Sequence, residues 1–371
     1  MELDALLLPM TIQDAEDTVR AASGPLLGWY RENARDLPWR REPTPYRVWI
    51  SEVMLQQTRV EAVKPYYQRF LEALPDLPAL SAAEEQTLLK LWEGLGYYSR
   101  ARNLQKAARQ AMERYGGVLP ASYEELLSLA GFGEYTAGAV ASIAFGIRVP
   151  AVDGNVLRVF SRLLAAEGDI MSPAVRKGFR QLLLKAMPET APGDFNQAVM
   201  ELGATLCGPN GLPQCERCPL KYLCRGYAGG NPAAYPVKAP KKSRRVEERT
   251  VFVLTCPEGV LLRLRPPGLL GGLWEFPSVD GALTPEEQLV WLQERGIVPQ
   301  AVSPLRNAKH IFTHIEWQMT GVLVRCRELS PGPEEALARW EELEQRYPLP
   351  SAFRAFRRAL DQCRKGWYQN G

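Results

Sequence analysis

Two regions of different periodicity predict a multidomain chain: an all-α domain, then an α+β domain, joined by a linker. From about Thr11 to Arg225 apolar residues recur at spacings of three and four, as in Ile50, Val53 and Met54 and again in Leu88, Leu89 and Trp92. From Thr250 the sequence turns strand-like. Between them, Gly229, Gly230 and Pro232 lead through Pro236 and Pro240 into the run Lys241-Lys242-Ser243-Arg244-Arg245, which reads as an extended linker over 226–249.

Proline and glycine cut the first region into helices near 12–34, 46–56, 59–73, 81–91, 99–115, 122–129, 134–145, 153–166, 173–187 and 194–206. In the second, Thr250–Thr255 and Val260–Arg265 flank a Pro257-Glu258-Gly259 turn and predict a hairpin. A helix at 284–295, strands near 306–313 and 316–326, and helices near 334–344 and 351–364 complete it. There is no internal repeat or low-complexity tract. Residues 1–19 form an acidic N-terminal extension that carries no functional signal.

At 371 residues, 46% of them hydrophobic, the chain is long enough for two or three real cores. A net charge of +3 requires any nucleic-acid face to be local. The acidic start (Glu2, Asp4) lacks the basic opening of a secretory signal. The longest apolar run, Ala137–Ile147, is about half of the roughly 20 residues that a membrane span needs. A soluble, cytoplasmic monomer without membrane contact is expected.

The most informative stretch runs from Leu129 to Ser142, a short helix–turn–helix pattern hinged at Gly131 and Gly133. Glycines there permit turn conformations that a Cβ resists, and leave backbone amides open to a phosphate at the start of the next helix. Asp153 follows, just past the Pro150 break and at an expected helix N-terminus. A phosphate clamp beside one poised carboxylate points to chemistry on DNA.

Four of the seven cysteines, Cys207, Cys215, Cys218 and Cys224, fall within 18 residues as C-x7-C-x2-C-x5-C. In a cytosolic chain that density points to metal, either an iron–sulfur cube or a tetrahedral zinc. A zinc ribbon pairs two C-x2-C knuckles and only one is present, so the spacing favours a [4Fe–4S] cluster. Cys256, Cys326 and Cys363 are scattered and read as packing residues.

Hairpin, aspartate and cysteine loop, in this order, resemble the helix-hairpin-helix DNA glycosylases of the endonuclease III superfamily. The resemblance implies a glycosylase domain over 20–225 with its cluster loop at 207–224. That family's usual spacing is C-x6-C-x2-C-x5-C; here Gly208–Gln214 holds one residue more. The resemblance also implies a structural cluster close to DNA.

Breaking a base–deoxyribose bond resembles glycoside hydrolysis. The leaving base needs a proton and the cationic sugar a negative partner, roles that two carboxylates in different environments can divide. Asp153 is one; taken alone it is equally a helix N-cap. Glu52 is the other: taken alone it reads as a solvated helix carboxylate, but it sits among Val48, Trp49, Ile50, Val53 and Met54, where desolvation raises a carboxyl pKa, and the string around it reverses the reading. The string Ser51-Glu52-Val53-Met54-Leu55-Gln56-Gln57-Thr58 resembles the catalytic-acid segment of adenine DNA glycosylases of the MutY type. By that resemblance Glu52 protonates adenine at N7, Asp153 stabilises or transiently bonds the sugar C1′, and Asn155 orients them.

Tyr135 stands where bifunctional relatives carry a lysine, whose amine forms a Schiff base and cuts the strand. A tyrosine implies release of the base alone; by its chemistry it reads equally as a packing residue, and the resemblance places it beside the reacting sugar. Gln197 falls at the family's adenine contact, though it is also an ordinary helix glutamine. Leu95 and Tyr97, in Gly94–Asn103, are implied to touch DNA around the opposing base, with Gln57 and Thr58 near the lesion pair. Tyr97 and Tyr98 read alternatively as core, and Arg100 and Arg102 as phosphate or solvent contacts.

Gly268–Pro277 resembles the entry to a Nudix-type fold, implying a Nudix-like lesion-recognition domain over 250–365. The acidic magnesium cassette is missing from Pro285–Gly296, so this domain is expected to bind and not hydrolyse. Both histidines, His310 and His314, fall in one segment, without the further ligands that zinc would need. Phe312-Thr313-His314 resembles the Phe-Ser-His loop with which MutY proteins read 8-oxoguanine. Threonine replaces serine, keeping the hydroxyl and adding a methyl.

The expected function is that of a monofunctional DNA glycosylase in base excision repair. It excises adenine opposite 8-oxoguanine, and opposite guanine, from double-stranded DNA, with a sliding clamp as a partner at the linker by position alone. One alternative is an endonuclease III-like enzyme of other base specificity, against which Tyr135 and the second domain argue. Another is a non-catalytic DNA-binding iron–sulfur protein, against which the retained Glu52 and Asp153 argue.

Overall fold

The computed structural model describes residues 10–240 and 243–360. The acidic start (Glu2, Asp4), Lys241, Lys242, Cys363 and the end of the helix expected over 351–364 lie outside the described residues. The chain divides into two compact units, one holding Asn103–Pro240 and the segment ending at Ala82, the other holding Ala83–Arg102 and the segment beginning at Lys241.

Helices of the first part are α1 (Ile12–Asn33), α2 (Pro38–Arg41), α3 (Pro45–Leu55), α4 (Val60–Ala73), α5 (Leu77–Ala82), α6 (Glu85–Leu91) and α7 (Ser99–Tyr115). There follow α8 (Tyr123–Leu127), α9 (Glu134–Phe145), α10 (Gly154–Leu164), α11 (Pro173–Ala186), α12 (Pro192–Thr205) and α13 (Arg225–Ala228). Their limits follow local chemistry. Thr11 and Asp14 make a capping box on α1, Thr44 caps α3 with Pro45 at its first turn, and Gly146 ends α9 in the left-handed conformation. In the first unit the apolar stripes of α1, α10, α11 and α12 close a core on Leu26, Phe160, Phe179, Phe195 and Leu202. The single helix expected over 81–91 is instead two, α5 and α6, with a break between Ala82 and Glu85.

The second unit is a seven-stranded sheet: β1 (Arg245–Cys256), β2 (Gly259–Leu264), β3 (Trp274–Glu275), β4 (Ser278–Asp280), β5 (Pro299–Ile311), β6 (Ile315–Cys326) and β7 (Glu335–Arg339). Its order is β3-β2-β1-β6-β5, with β4 on β1 and β7 on β2. The β1–β6 pair is parallel, Arg245 facing Ile315 and Thr255 facing Arg325; the other pairs are antiparallel. Strand alternation divides β1 between two cores. Val251 and Val253 join Phe276, Trp317, Phe353 and Phe356 on one face, while Phe252 and Leu254 join Leu292 on the other. There Phe252 stacks on Trp291 of α14 (Pro285–Glu294) at 3.9 Å. Pro304 is tolerated because β5 is an edge strand. A short α15 (Leu343–Arg346) follows β7.

Three further readings are corrected. The linker expected over 226–249 is shorter, since Arg225–Ala228 is helical and β1 begins at Arg245. The strand expected at 306–313 begins at Pro299. Glu335–Arg339, expected as helix from its Glu and Ala content, is a strand paired with β2, Leu337 opposite Leu261; cross-strand burial outweighs local propensity there.

Ionic contacts explain why Ala83–Arg102 belongs to the second unit. Glu93 binds Lys90 (2.5 Å) and Arg357 (2.7 Å) and accepts from the Leu349 N–H, while Arg102 Nη2 donates to the Gly271 carbonyl at 2.6 Å. Glu275, in the Nudix-like segment, is fully buried and neutralised by Arg263 and Arg265. Among the described residues no helix is long and apolar enough to cross a membrane.

Candidate active site

Helix α3 is buried on nearly every side, through Val48, Trp49, Ile50, Ser51, Val53 and Met54, and buries Glu52 with them, the residue being 6% exposed. The Tyr135 hydroxyl, from the first turn of α9, donates to Glu52 Oε2 and lies 3.5 Å from the Met200 sulfur. Burial pushes the Glu52 carboxyl up to about 7; the Tyr135 bond pulls it down and the Asp153 charge pushes it up. Tyr135 keeps its proton, since burial and then the Glu52 charge oppose its ionisation.

Asp153 is both an N-cap and a member of this site. Its Oδ1 accepts from the Val156 N–H (2.8 Å) at the start of α10, and its Oδ2 from Asn155 Nδ2 (2.7 Å). Burial raises its pKa and these donors oppose the rise. Gly203 of α12 packs so close to Asn155 that a Cβ there would lie 2.7 Å from the asparagine Cβ. Glu52, Tyr135 and the Asp153–Asn155 pair, from three segments far apart in sequence, are thus brought into one polar locus in which Glu52 is buried and the others are half-buried.

The hairpin splits the expectation for its glycines. Gly131 has φ +75°, and a Cβ there would meet Asn103 Cβ at 2.6 Å, so only glycine fits. Gly133 does not need its freedom: it is the extended N-cap of α9 (φ −85°, ψ 175°) with open space where a Cβ would stand. Its absent side chain leaves the α9 N-terminus uncovered. Gln197 is half-buried on α12, one turn before Met200 and on the same face. Gln57 and Thr58 follow α3 directly, and Gln57 is exposed in the left-handed region at φ 61°, a strained conformation for this residue.

In the second unit Leu95, Tyr97, Phe312, Thr313 and His314 all line one cavity of about 500 Å³. Tyr97, at φ 48° and 47% exposed, places its hydroxyl 3.2 Å from the Thr313 hydroxyl. Arg100 props this loop: its Nη2 donates to the Leu95 and Gly96 carbonyls, both at 3.0 Å, beneath the Tyr97 ring. Leu95 is only 7% exposed and Tyr98 is core, so the exposed aromatic on this loop is Tyr97. Phe312 packs edge-on against His310 and Trp317, while Thr313 and His314 are exposed at the β5–β6 tip. Arg102 binds Glu85 and Gly271.

The four cysteines are free thiols that line a second, smaller cavity together. Arg162 Nη1 donates to Cys207 Sγ at 3.2 Å, a bond suited to a thiolate. Four sulfur donors around one space fit an iron–sulfur group. Among the described residues no group of three or more His, Cys, Asp or Glu side chains is arranged to hold a metal ion.

Arg158 escaped the sequence reading. It is buried on α10, three residues after Asn155, and donates to Asn155 Oδ1 (2.7 Å), the Gly203 carbonyl (2.9 Å) and the Cys207 carbonyl (2.8 Å). The one local signal was its i, i+3 spacing from Asn155. Glu201, fully buried and held by Arg35 (2.6 Å) and Arg40 (2.8 Å), had no local signal at all.

Residues 50–185 match the HhH-GPD superfamily of base excision DNA repair proteins, and residues 250–359 match the NUDIX domain. The structure is similar to that of a thermostable thymine-DNA glycosylase, with a TM-score of 0.51 and 28% identity over 57% of this chain and 98% of that one. It is likewise similar to endonuclease III in a non-covalent DNA complex, with a TM-score of 0.50 and 26% identity over 58% and 97%. Fold and site together therefore place the chain in the class of helix-hairpin-helix base-excision glycosylases.

Within that class, the adenine DNA glycosylase of Mus musculus is 38% identical over 92% of this chain and 78% of its own length. That of Homo sapiens is 40% identical over 80% of this chain, which spans 66% of the human protein. An adenine DNA glycosylase of Buchnera aphidicola is 32% identical over 82% of this chain and 87% of its own length. The chain belongs to the adenine DNA glycosylase family.

Proposed function

We propose that this protein removes adenine mispaired with 8-oxoguanine, and with guanine, by hydrolysing the N-glycosidic bond and leaving the strand intact. The placement of Glu52, buried among apolar side chains and hydrogen-bonded by Tyr135, is the observation that carries this reading. A carboxyl pushed up to about 7 holds its proton near neutrality and remains acidic enough to release it. Glu52 gives that proton to the departing adenine as the bond to C1′ breaks. Asp153, its negative form held by the Val156 N–H, Asn155 and the α10 N-terminus, faces the cationic sugar. Water then adds its oxygen to C1′ and loses a proton.

Tyr135 supports a hydrolytic outcome. Its phenol offers no amine for a Schiff base, and its hydrogen bond holds the Glu52 carboxyl in place. The cavity of Tyr97, Phe312, Thr313 and His314 supports reading of the opposing base, with an aromatic face, two hydroxyls and an imidazole at its rim. The cysteine loop would hold a [4Fe–4S] cluster through Cys207, Cys215, Cys218 and Cys224. That group supplies a rigid cross-link of the loop and no electrons to a hydrolysis. The C-x7-C-x2-C-x5-C spacing, with a single C-x2-C knuckle, supports the cube over zinc.

A single-turnover assay on labelled duplexes with adenine opposite 8-oxoguanine, guanine and thymine, read with and without alkali, tests this. Cleavage only after alkali, fastest opposite 8-oxoguanine, is expected. Cleavage without alkali would mean a lyase, and binding without cleavage would mean a non-catalytic protein.

A further inference from the structure

We infer that Arg244 is a phosphate-binding residue that grips the DNA backbone beside the tip of the β5–β6 hairpin. The inference rests on the proposal that this tip faces DNA. Arg244 belongs to the basic run of the sequence that no part of the mechanism uses, and the fold carries it to Phe312, 68 positions away. Its Nε donates to the Phe312 carbonyl at 3.1 Å, and the next residue, Arg245, donates its backbone N–H to the His314 carbonyl at 3.1 Å. The start of β1 is thereby fastened to both ends of the Phe312–His314 tip.

This attachment fixes what the guanidinium can do. With Nε spent on a backbone carbonyl, the remaining edge of the fork, Nη1 and Nη2, is the part of an exposed side chain left for a ligand. A planar fork matches two phosphate oxygens. The carboxylates nearby are engaged elsewhere. Glu316 feels the Arg244 charge, but Lys309 holds it at 2.6 Å and Gln318 at 3.2 Å. Glu247 is taken by Arg245 and by the Trp317 indole N–H at 2.9 Å. A residue within the tip that lines the cavity would read a base; an arginine tied to that tip from outside the cavity is placed for the backbone of the same strand.

The test is the salt dependence of duplex binding by the full-length protein. Loss of one phosphate contact flattens the slope of log K against log salt by about 0.9, which is about fivefold in affinity near 0.15 M salt. Arg244→Gln is expected to show that flattening equally on adenine:8-oxoguanine and on fully paired duplex. Its single-turnover rate at saturating enzyme and its preference for 8-oxoguanine over guanine should stay unchanged. Arg244→Lys, which keeps the charge and loses the Nε bond, is expected to keep the wild-type slope. A wild-type slope in Arg244→Gln overturns the inference. So does a loss of affinity at unchanged slope in both variants, which would make Arg244 a fastener of the tip alone. His314→Ala separates the two claims: an unchanged 8-oxoguanine preference there removes the lesion-reading role while leaving the phosphate contact to stand on its slope.

Discussion

The phenol of Tyr135, half-buried, donates its hydrogen to Oε2 of the buried Glu52. A donor to a carboxylate favours its ionised form, so this bond holds the general acid below the value that burial alone would set. Tyr135→Phe should therefore push the Glu52 pKa further up and move the alkaline limb of excision to higher pH. The rate at neutral pH is expected to stay within about tenfold, since general acid–base groups as a whole contribute about 10²–10⁴. A limb that stays in place or moves down in a pH series of single-turnover rates would contradict the coupling.

Glu52 also links function to stability. Its folded pKa of about 7 lies above the ordinary 4.5, so the folded state binds the proton more tightly. Its contribution is fully favourable below the ordinary value and is lost as pH rises through about 7. Near pH 8 the ionised carboxylate costs about 3 kcal/mol. Glu52→Gln is expected to raise Tm at pH 8, with the gain shrinking toward zero below pH 4.5, while excision is abolished. Thermal melts of both proteins across that range check it; a Tm difference independent of pH would count against it.

Gly203→Ala aims at Asn155 without touching a polar group. The new Cβ would stand 2.7 Å from the Asn155 Cβ, and overpacking of this kind costs about 1–3 kcal/mol. Asn155 must give way and loosen its 2.7 Å bond to Asp153. A fall of at least about tenfold in single-turnover rate is expected, reflecting misplacement of the carboxylate. Wild-type kinetics in a folded variant would show that Asn155 does not position Asp153.

Much of this was legible because the signals are local. Periodicity, Pro45, Pro173 and Gly146 mark helix limits to within a residue or two, and the Pro257-Glu258 turn announces the β1–β2 hairpin. The string around Glu52 and the capping position of Asp153 could likewise be read along the chain. What could not be read depends on distant partners. Glu335–Arg339 carries helix-forming residues, and only pairing with β2 makes it a strand. Ala83–Arg102 reads as part of a helical run, and it takes distant partners, Arg357 on Glu93 and the Gly271 carbonyl on Arg102 among them, to assign it to the second unit. Arg158 looks like any helix arginine until the Cys207 carbonyl is folded against it.

The cysteine loop makes its own prediction. Protein purified without air should carry about four irons per chain, the content of a [4Fe–4S] cluster. Cys218→Ser should lower that content and reduce Tm, since the loop packs on the core through Cys207, Cys218 and Cys224. One zinc per chain by elemental analysis would overturn the assignment.

The most direct test of the catalytic claim is the pH dependence of single-turnover adenine excision opposite 8-oxoguanine. With Glu52 as the acid, the rate should fall as pH rises through about 7, in step with loss of its proton. It should fall again at low pH as Asp153, raised by burial, becomes neutral. Glu52→Gln should be inactive at every pH while still binding the duplex. A rate that stays level from pH 6 to 9, or a Glu52→Gln protein that turns over, would remove Glu52 from the mechanism.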